Sequence, residues 1–174
     1  LWGDDPPPSA ERTLRSYVSR LRSATGPSIV ASAGGFTLRT TTLAVDAADF
    51  ESEVSAARLQ EPAEAARTLD AALRRWRGDA FGALAELDAV AAAARALEQR
   101  RLGARHDLAE AQRRSGDLGA AVASAEALLA ESPLDEGAWE TLIRGLTGAV
   151  EDLVGEQLGA ERRVEFVGGG HVTS

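Results

Sequence analysis

From Val45 onward the chain consists of Ala-rich segments separated by short breakers, a pattern that admits little besides stacked helices. "DAADFESEVSAARL" opens with Asp46 as an N-cap and Asp49 in the first turn. "EPAEAARTLDAALRRW" begins with Pro62 at the first helical position, where the missing N–H costs nothing. A long helix is predicted over residues 88–115, with Val90, Ala94, Leu97, Ala104, Leu108 and Ala111 facing inward. Gly116 to Leu118 turn the chain into a helix over 118–131. Pro133 breaks it, and a last helix follows over 135–146.

These helices carry a repeat register. Leu108, Gly116, Ala121 and Pro133 sit at the offsets of a tetratricopeptide motif, and Trp139 and Leu142 occupy the next repeat's Trp and Leu slots. Arg105, Gln112 and Ala125 stand where the motif has large residues. Ala65, Leu69 and Ala72 fit the second helix of an earlier, degenerate repeat. Such repeats stack as helix pairs whose small residues allow close approach, leaving a groove or flank for partners. The register fails after residue 146. The stretch from 147 to 174 is a separate element, a linker, or sequence joined across a gap.

The N-terminal part is different. In "GDDPPPSAERTLRSYVSRLRSATGPS", Pro6 to Pro8 block a helix upstream, Ser9 is the expected N-cap, and Gly26-Pro27 end the helix. Leu14, Tyr17, Val18 and Leu21 make one apolar stripe. Arg12, Arg15, Ser16, Ser19 and Arg22 take the opposite face, with Thr13 and Arg20 on its flank. "SIVASAGGFTLRTTT" then reads as a β-hairpin, with Gly34-Gly35 expected to supply the positive-φ turn positions.

Charge divides along the same line. Residues 1–44 hold five Arg against Asp4, Asp5 and Glu11, a net +2; residues 45–174 hold fourteen Arg against twenty-four Asp and Glu, a net −10. A basic N-terminal piece on an acidic body suggests two jobs rather than a uniform nucleic-acid coat. All 19 basic residues are Arg, so a solvated face in an Arg-biased proteome is the bland reading of any one of them. No run approaches eighteen apolar residues, and no signal-peptide pattern opens the chain, so the expectation is a cytoplasmic protein. Cys is absent, which excludes thiolate chemistry. Met is absent and Leu1 comes first, so the chain is read as a fragment.

"ERTLRSYVSRLRS" followed by "IVASAGGFTLRT" resembles the recognition helix and wing of an OmpR-class winged helix, and "LWGDDPPPSA" the loop before that helix. "VDAADFESEV", "ALRRWRGDAF" and the stretch from "ALEQRRLGARHDLAEAQ" to "WETLIRGL" resemble the bacterial transcriptional activation domain. In this order the two modules resemble the Streptomyces antibiotic regulatory protein family, over residues 1–146. The resemblance implies a mainly α fold: the C-terminal part of a winged helix (1–44), a tetratricopeptide-like activation domain (45–146), and a tail (147–174). It implies an activator of biosynthetic gene clusters, such as those for antibiotics. Its partners would be double-stranded DNA, bound at direct repeats near promoters in tandem or as a dimer, and RNA polymerase holoenzyme including the σ factor.

Carried over residue by residue, the resemblance puts Arg12 and Thr13 at phosphate or base positions near the helix N-terminus. It puts Ser16 and Ser19 on the groove-facing side and Arg20 and Arg22 at phosphate or base positions further along, and Arg15 of the same polar face is expected to contact DNA with them. Arginine is the favoured partner of guanine edges and phosphates, and hydroxyls bond either. There are departures. The N-terminal strands and first helix of a winged helix would precede Leu1. Family wings often carry Arg where this chain has Ser32, a place Arg39 would fill. The family's further repeat, with a tyrosine-containing helix, is not matched after Thr147.

Nothing points to an enzyme, a cofactor or a metal. His106 and Glu110 have the i, i+4 spacing of surface pairs, and the other histidine, His171, lies in the tail. "VGGGHVTS" lacks the Lys-Ser/Thr ending of a phosphate loop. Trp76 and Trp139 are expected in the helical core, and Trp2 within the winged helix. The rival reading is a tetratricopeptide-like adaptor without direct DNA contact, whose N-terminal helix caps the stack.

Overall fold

The computed structural model describes residues 2, 5–26, 28–33, 35–39 and 44–168. It divides into two compact units, Leu1–Ala48 and Asp49–Ser174.

The first unit is a helix followed by a hairpin: α1 (Ala10–Thr25), β1 (Ile29–Ser32) and β2 (Gly35–Leu38). Ser9 precedes α1 but caps it through the backbone, its carbonyl accepting from Thr13 N–H at 3.0 Å, and the expected side-chain cap is not made. Gly26, with φ of 78°, takes the chain out of the helix into a conformation that a side chain would disfavour. The strands pair antiparallel with Ile29 opposite Leu38 and Ser32 opposite Gly35. Gly35 is a strand residue without positive φ, contrary to the expected Gly34-Gly35 turn, and Gly34 lies outside the described residues.

The second unit is helical. Its elements are α2 (Asp46–Ala57), α3 (Pro62–Leu73), a 3-10 turn (Gly82–Glu86), α4 (Asp88–Arg114), α5 (Leu118–Glu131) and α6 (Glu136–Gly168). Helix α4 packs against α3, α5 and α6, and α5 lies along α6. Phe50, Val54 and Ala57 of α2 meet Ala65, Leu69 and Ala72 of α3 and Ala104 and Ala111 of α4 in one core cluster. Small residues dominate the crossings, which lets helix axes come close. Trp76 packs half-buried on this core, its ring edge-on to Phe50 with centroids 5.4 Å apart.

The α4–α5 connection is a Schellman motif. Gly116 adopts φ of 84°, its N–H donates to the Arg113 carbonyl at 3.1 Å, and Asp117 N–H donates to the Gln112 carbonyl at 3.0 Å. Asp117 then caps α5, its carboxylate accepting from Ala120 N–H at 3.2 Å.

Two expectations fail in the last helix. Helix α6 does not stop near residue 146, where the repeat register fails, but continues to Gly168, and Gly145 and Gly148 within it are close crossing points. A Cβ on Gly145 would stand 3.0 Å from Val122 Cγ2, and one on Gly148 would stand 3.0 Å from Leu118 Cδ1. Trp139 is not in the core. It is 47% exposed, with its indole Nε1 donating to the Pro133 carbonyl at 2.9 Å. Ala138 and Leu142 fill the buried face of that helix instead.

Candidate nucleic-acid interface

Helix α1 is about 24 Å long at 1.5 Å per residue, enough to cross a major groove. Of its apolar stripe, Val18 is buried and Leu14 half-buried, while Tyr17 and Leu21 are exposed. The opposite face holds Arg12, Arg15, Ser16 and Ser19, all exposed, with exposed Arg20 and half-buried Thr13 on the flank.

The arginines have different engagements. Arg15 pairs with Glu11 one turn earlier, at 2.5 Å, an exposed pair of small energetic weight. Arg22 turns towards the hairpin: Nε donates to the Ile29 carbonyl at 2.6 Å, and its guanidinium carbon lies 5.9 Å from the Phe36 ring centroid. Arg22 thus ties the end of α1 to both strands. Arg39 follows β2 and is exposed, while its backbone N–H closes the hairpin on the Ser28 carbonyl at 2.6 Å. Among the described residues no side-chain hydrogen bond or ion pair engages the guanidinium groups of Arg12, Arg20 or Arg39.

In the helical unit the charges are largely paired with one another. Arg75 reaches across to Glu53, Arg58 to Asp107 at 3.2 Å, and Arg100 to Glu51, so three ion pairs staple α2 to its neighbours. Arg113 donates two hydrogen bonds to Glu110, which with smaller contributions from its charge outweigh burial and hold the Glu110 carboxyl below the usual range. A cleft of about 280 Å³ opens among Leu73, Arg101, Arg105, Leu108, Ser124 and Glu131. The Arg105 guanidinium donates to Glu131 at its rim and holds that carboxyl low. The Arg101 guanidinium lies over the Trp76 ring, 4.9 Å from its centroid.

His106 neither pairs with Glu110 nor stands by itself. Its Nε2 donates to Asp135 Oδ2 at 2.9 Å across the α4–α6 junction, while Asp107 and Glu110 go to arginines. Sequence spacing could not reveal this pair, which joins residues 29 positions apart. Among the described residues, no three His, Asp or Glu side chains stand together as a metal site, and no helix is long and apolar enough to cross a membrane.

The stacked small-residue helices, with Trp76 edge-on to Phe50 and the α4–α5 turn at Gly116, place the second unit in the class of tetratricopeptide-like helical-repeat domains. The family model of the bacterial transcriptional activator domain matches residues 45–152, and the chain belongs to that family. It is similar to the transcriptional regulatory protein EmbR of Mycobacterium tuberculosis, at 35% identity over 95% of this chain and 45% of EmbR. It is also similar to the transcriptional regulator RedD of Streptomyces coelicolor, at 33% identity over 84% of this chain and 45% of RedD. A solved structure of M. tuberculosis EmbR in complex with a low-affinity phosphopeptide superposes with a TM-score of 0.77 at 32% identity, covering 96% of this chain and 46% of that one. The chain thus spans less than half the length of these relatives, and its mainly helical, tetratricopeptide-like architecture matches that of the corresponding part of EmbR.

Proposed function

We propose that this chain carries the DNA-contacting part of a winged helix and the activation domain of a transcriptional activator. In this reading α1 enters the major groove, the hairpin touches backbone or minor groove, and the helical unit contacts RNA polymerase holoenzyme including its σ factor. The protein binds direct repeats near promoters, in tandem or as a dimer, at biosynthetic gene clusters. It acts by recruitment, in the cytoplasm at the nucleoid, and performs no chemistry of its own.

The observation that carries the reading is the set of exposed guanidinium groups of Arg12, Arg20 and Arg39, without side-chain partners among the described residues. They lie on a helix and its following hairpin, with the Thr13, Ser16 and Ser19 hydroxyls between them. In the helical unit arginines are mostly committed to carboxylates. Arg15 can exchange Glu11 for phosphate at little cost, since exposed pairs contribute only about 0–1 kcal/mol. Arg22 is assigned a positioning role, holding the hairpin at its angle to α1.

The test is binding of the full-length protein to direct-repeat DNA upstream of the genes it adjoins, followed by transcription with purified holoenzyme. R12A/R20A is expected to lose binding and activation while keeping wild-type helical content. Unchanged binding by that variant would remove α1 from the interface. The adaptor reading rests on the cleft of about 280 Å³ between Arg101, Arg105 and Ser124. It predicts partner capture that R12A/R20A leaves intact and that requires no DNA.

A further inference from the structure

The cleft of the helical unit is walled by three helices. Leu73 comes from α3, Arg101, Arg105 and Leu108 from α4, and Ser124 and Ala127 from α5. Its volume of about 280 Å³ lies near the lower end of the range that holds small ligands. The wall is of two kinds. Leu73, Leu108 and Ala127 give it an apolar side. Arg101 and Arg105, one turn apart on α4, give it a cationic side, with side chains only 34% and 20% exposed.

The two guanidinium groups are under-used. Each carries five N–H donors. Among the described residues, Arg105 places one hydrogen bond, from Nη1 to Glu131 at 2.6 Å. Arg101 places none: Glu98 stands 3.6 Å away with its other oxygen committed to Ala80 N–H, and the remaining neighbour is the Trp76 ring. Partly buried guanidinium donors without acceptors favour an anion. Ser124 does not compete for it, because its hydroxyl proton goes to the Gln112 side-chain oxygen at 2.7 Å.

Glu131 shows which anion these groups accept. It ends α5, is 68% exposed, and is held by the one Arg105 bond. That bond, with the charges of Arg105 and Arg101, outweighs partial burial and holds the carboxyl low. So exposed a pair contributes little. A carboxylate that also brings apolar surface to Leu73, Leu108 and Ala127 can therefore displace it.

We infer that the cleft is a binding site for a small organic acid, a monocarboxylate with an apolar body, whose carboxylate replaces Glu131 on Arg105 and Arg101. A small anion suits the cleft better than an acidic protein segment does. Residues 45–174 carry a net −10, which repels an acidic chain along its length, whereas a small anion meets chiefly the charges within a Debye length of the cleft. The inference uses no residue of α1 or the hairpin and holds whether or not they bind DNA.

The test is calorimetric titration of the full-length protein, without DNA, with straight-chain carboxylates from butanoate to octanoate and with 3-phenylpropanoate. Affinity is expected to rise about threefold to fourfold per methylene until the cleft is filled. The neutral 3-phenylpropanamide is expected to bind about tenfold more weakly than its acid, or less. R101Q and R105Q should each weaken 3-phenylpropanoate about tenfold with circular dichroism unchanged, and R144Q, outside the cleft, should not. E131Q, which removes the competing carboxylate, should tighten binding severalfold, a gain that a merely structural role would not produce. No saturable binding of any of these carboxylates up to ~10 mM would overturn the inference. So would equal affinity for acid and amide, or binding that R101Q, R105Q and E131Q all leave unchanged. An acidic peptide of alternating Glu and Leu that displaced 3-phenylpropanoate at lower concentration would assign the cleft to a partner protein and overturn it too.

Discussion

Asp135 joins the start of α6 to His106 on α4: one carboxylate oxygen accepts from Ala138 N–H at 3.0 Å and the other from His106 Nε2 at 2.9 Å. The contact is close enough that a Cβ on Gly137 would sit 3.3 Å from the imidazole Cε1. Partial burial pushes the Asp135 carboxyl upward. The Ala138 N–H, the His106 ring and the Gly137 N–H together outweigh it and hold the carboxyl below its ordinary value.

This relationship predicts a specific pH dependence. The folded-state pKa of Asp135 lies below the unfolded one, so its contribution is fully present above the unfolded carboxylate range. It is lost as pH falls through the folded value. Asp135→Ala should cost about 1–2 kcal/mol at neutral pH, as loss of an N-cap does. The gap from wild type should shrink at acidic pH. Denaturant unfolding followed by circular dichroism at neutral and acidic pH checks both statements. A constant gap would mean that the carboxylate charge is not what stabilises the junction.

The glycines of α6 should respond to substitution with opposite signs. A Cβ on Gly155 would meet nothing within 4 Å, so Gly155→Ala should stabilise by about 0.5–1 kcal/mol through helix propensity alone. A Cβ on Gly145 would stand only 3.0 Å from the Val122 methyl. Gly145→Val should therefore destabilise by about 1–3 kcal/mol, the usual range for overpacking. Thermal denaturation of the two variants against wild type measures the difference.

Arg22 is expected to act through the hairpin. Removing a charge-assisted bond to a carbonyl costs about 1.5–3 kcal/mol. Arg22→Ala should therefore speed amide exchange across Ile29–Ser32 and Gly35–Leu38 roughly tenfold or more, a factor of ten being about 1.4 kcal/mol. Arg20→Ala, which removes no contact within the hairpin, should leave that exchange unchanged. Hydrogen exchange read by mass spectrometry separates the two roles.

What could be read from the sequence follows from what periodicity encodes. Ala94, Ala104 and Ala111 of α4, predicted to face inward, are buried, and Val90, Leu97 and Leu108 are half-buried, because a 3.6-residue pattern reports the apolar face directly. Helix α5 has the predicted bounds, since Gly116, Asp117 and Pro133 are local signals. Periodicity does not say which apolar face meets a partner. Leu142 of α6 is buried whereas Trp139, its neighbour one turn earlier, is exposed, although the repeat register predicts both in the core. The expected end of the last helix near residue 146 followed the repeat register, which does not report how far a helix runs. On α1 the basic face was legible, but nothing in the residues distinguished Arg22, held by Ile29 and Phe36, from Arg20. The cleft arginines and the His106–Asp135 pair depend on contacts between distant helices and left no local trace.

The central claim is that the α1 and hairpin arginines bind phosphate, and salt dependence of DNA binding by the full-length protein tests it most directly. Each neutralised phosphate contributes about 0.9 to the slope of log K against log salt concentration. A steeply negative slope is predicted for wild type, reduced in magnitude by roughly 2 to 3 in R12A/R20A/R39A. A flat wild-type slope, or one that the triple substitution leaves unchanged, would contradict the account.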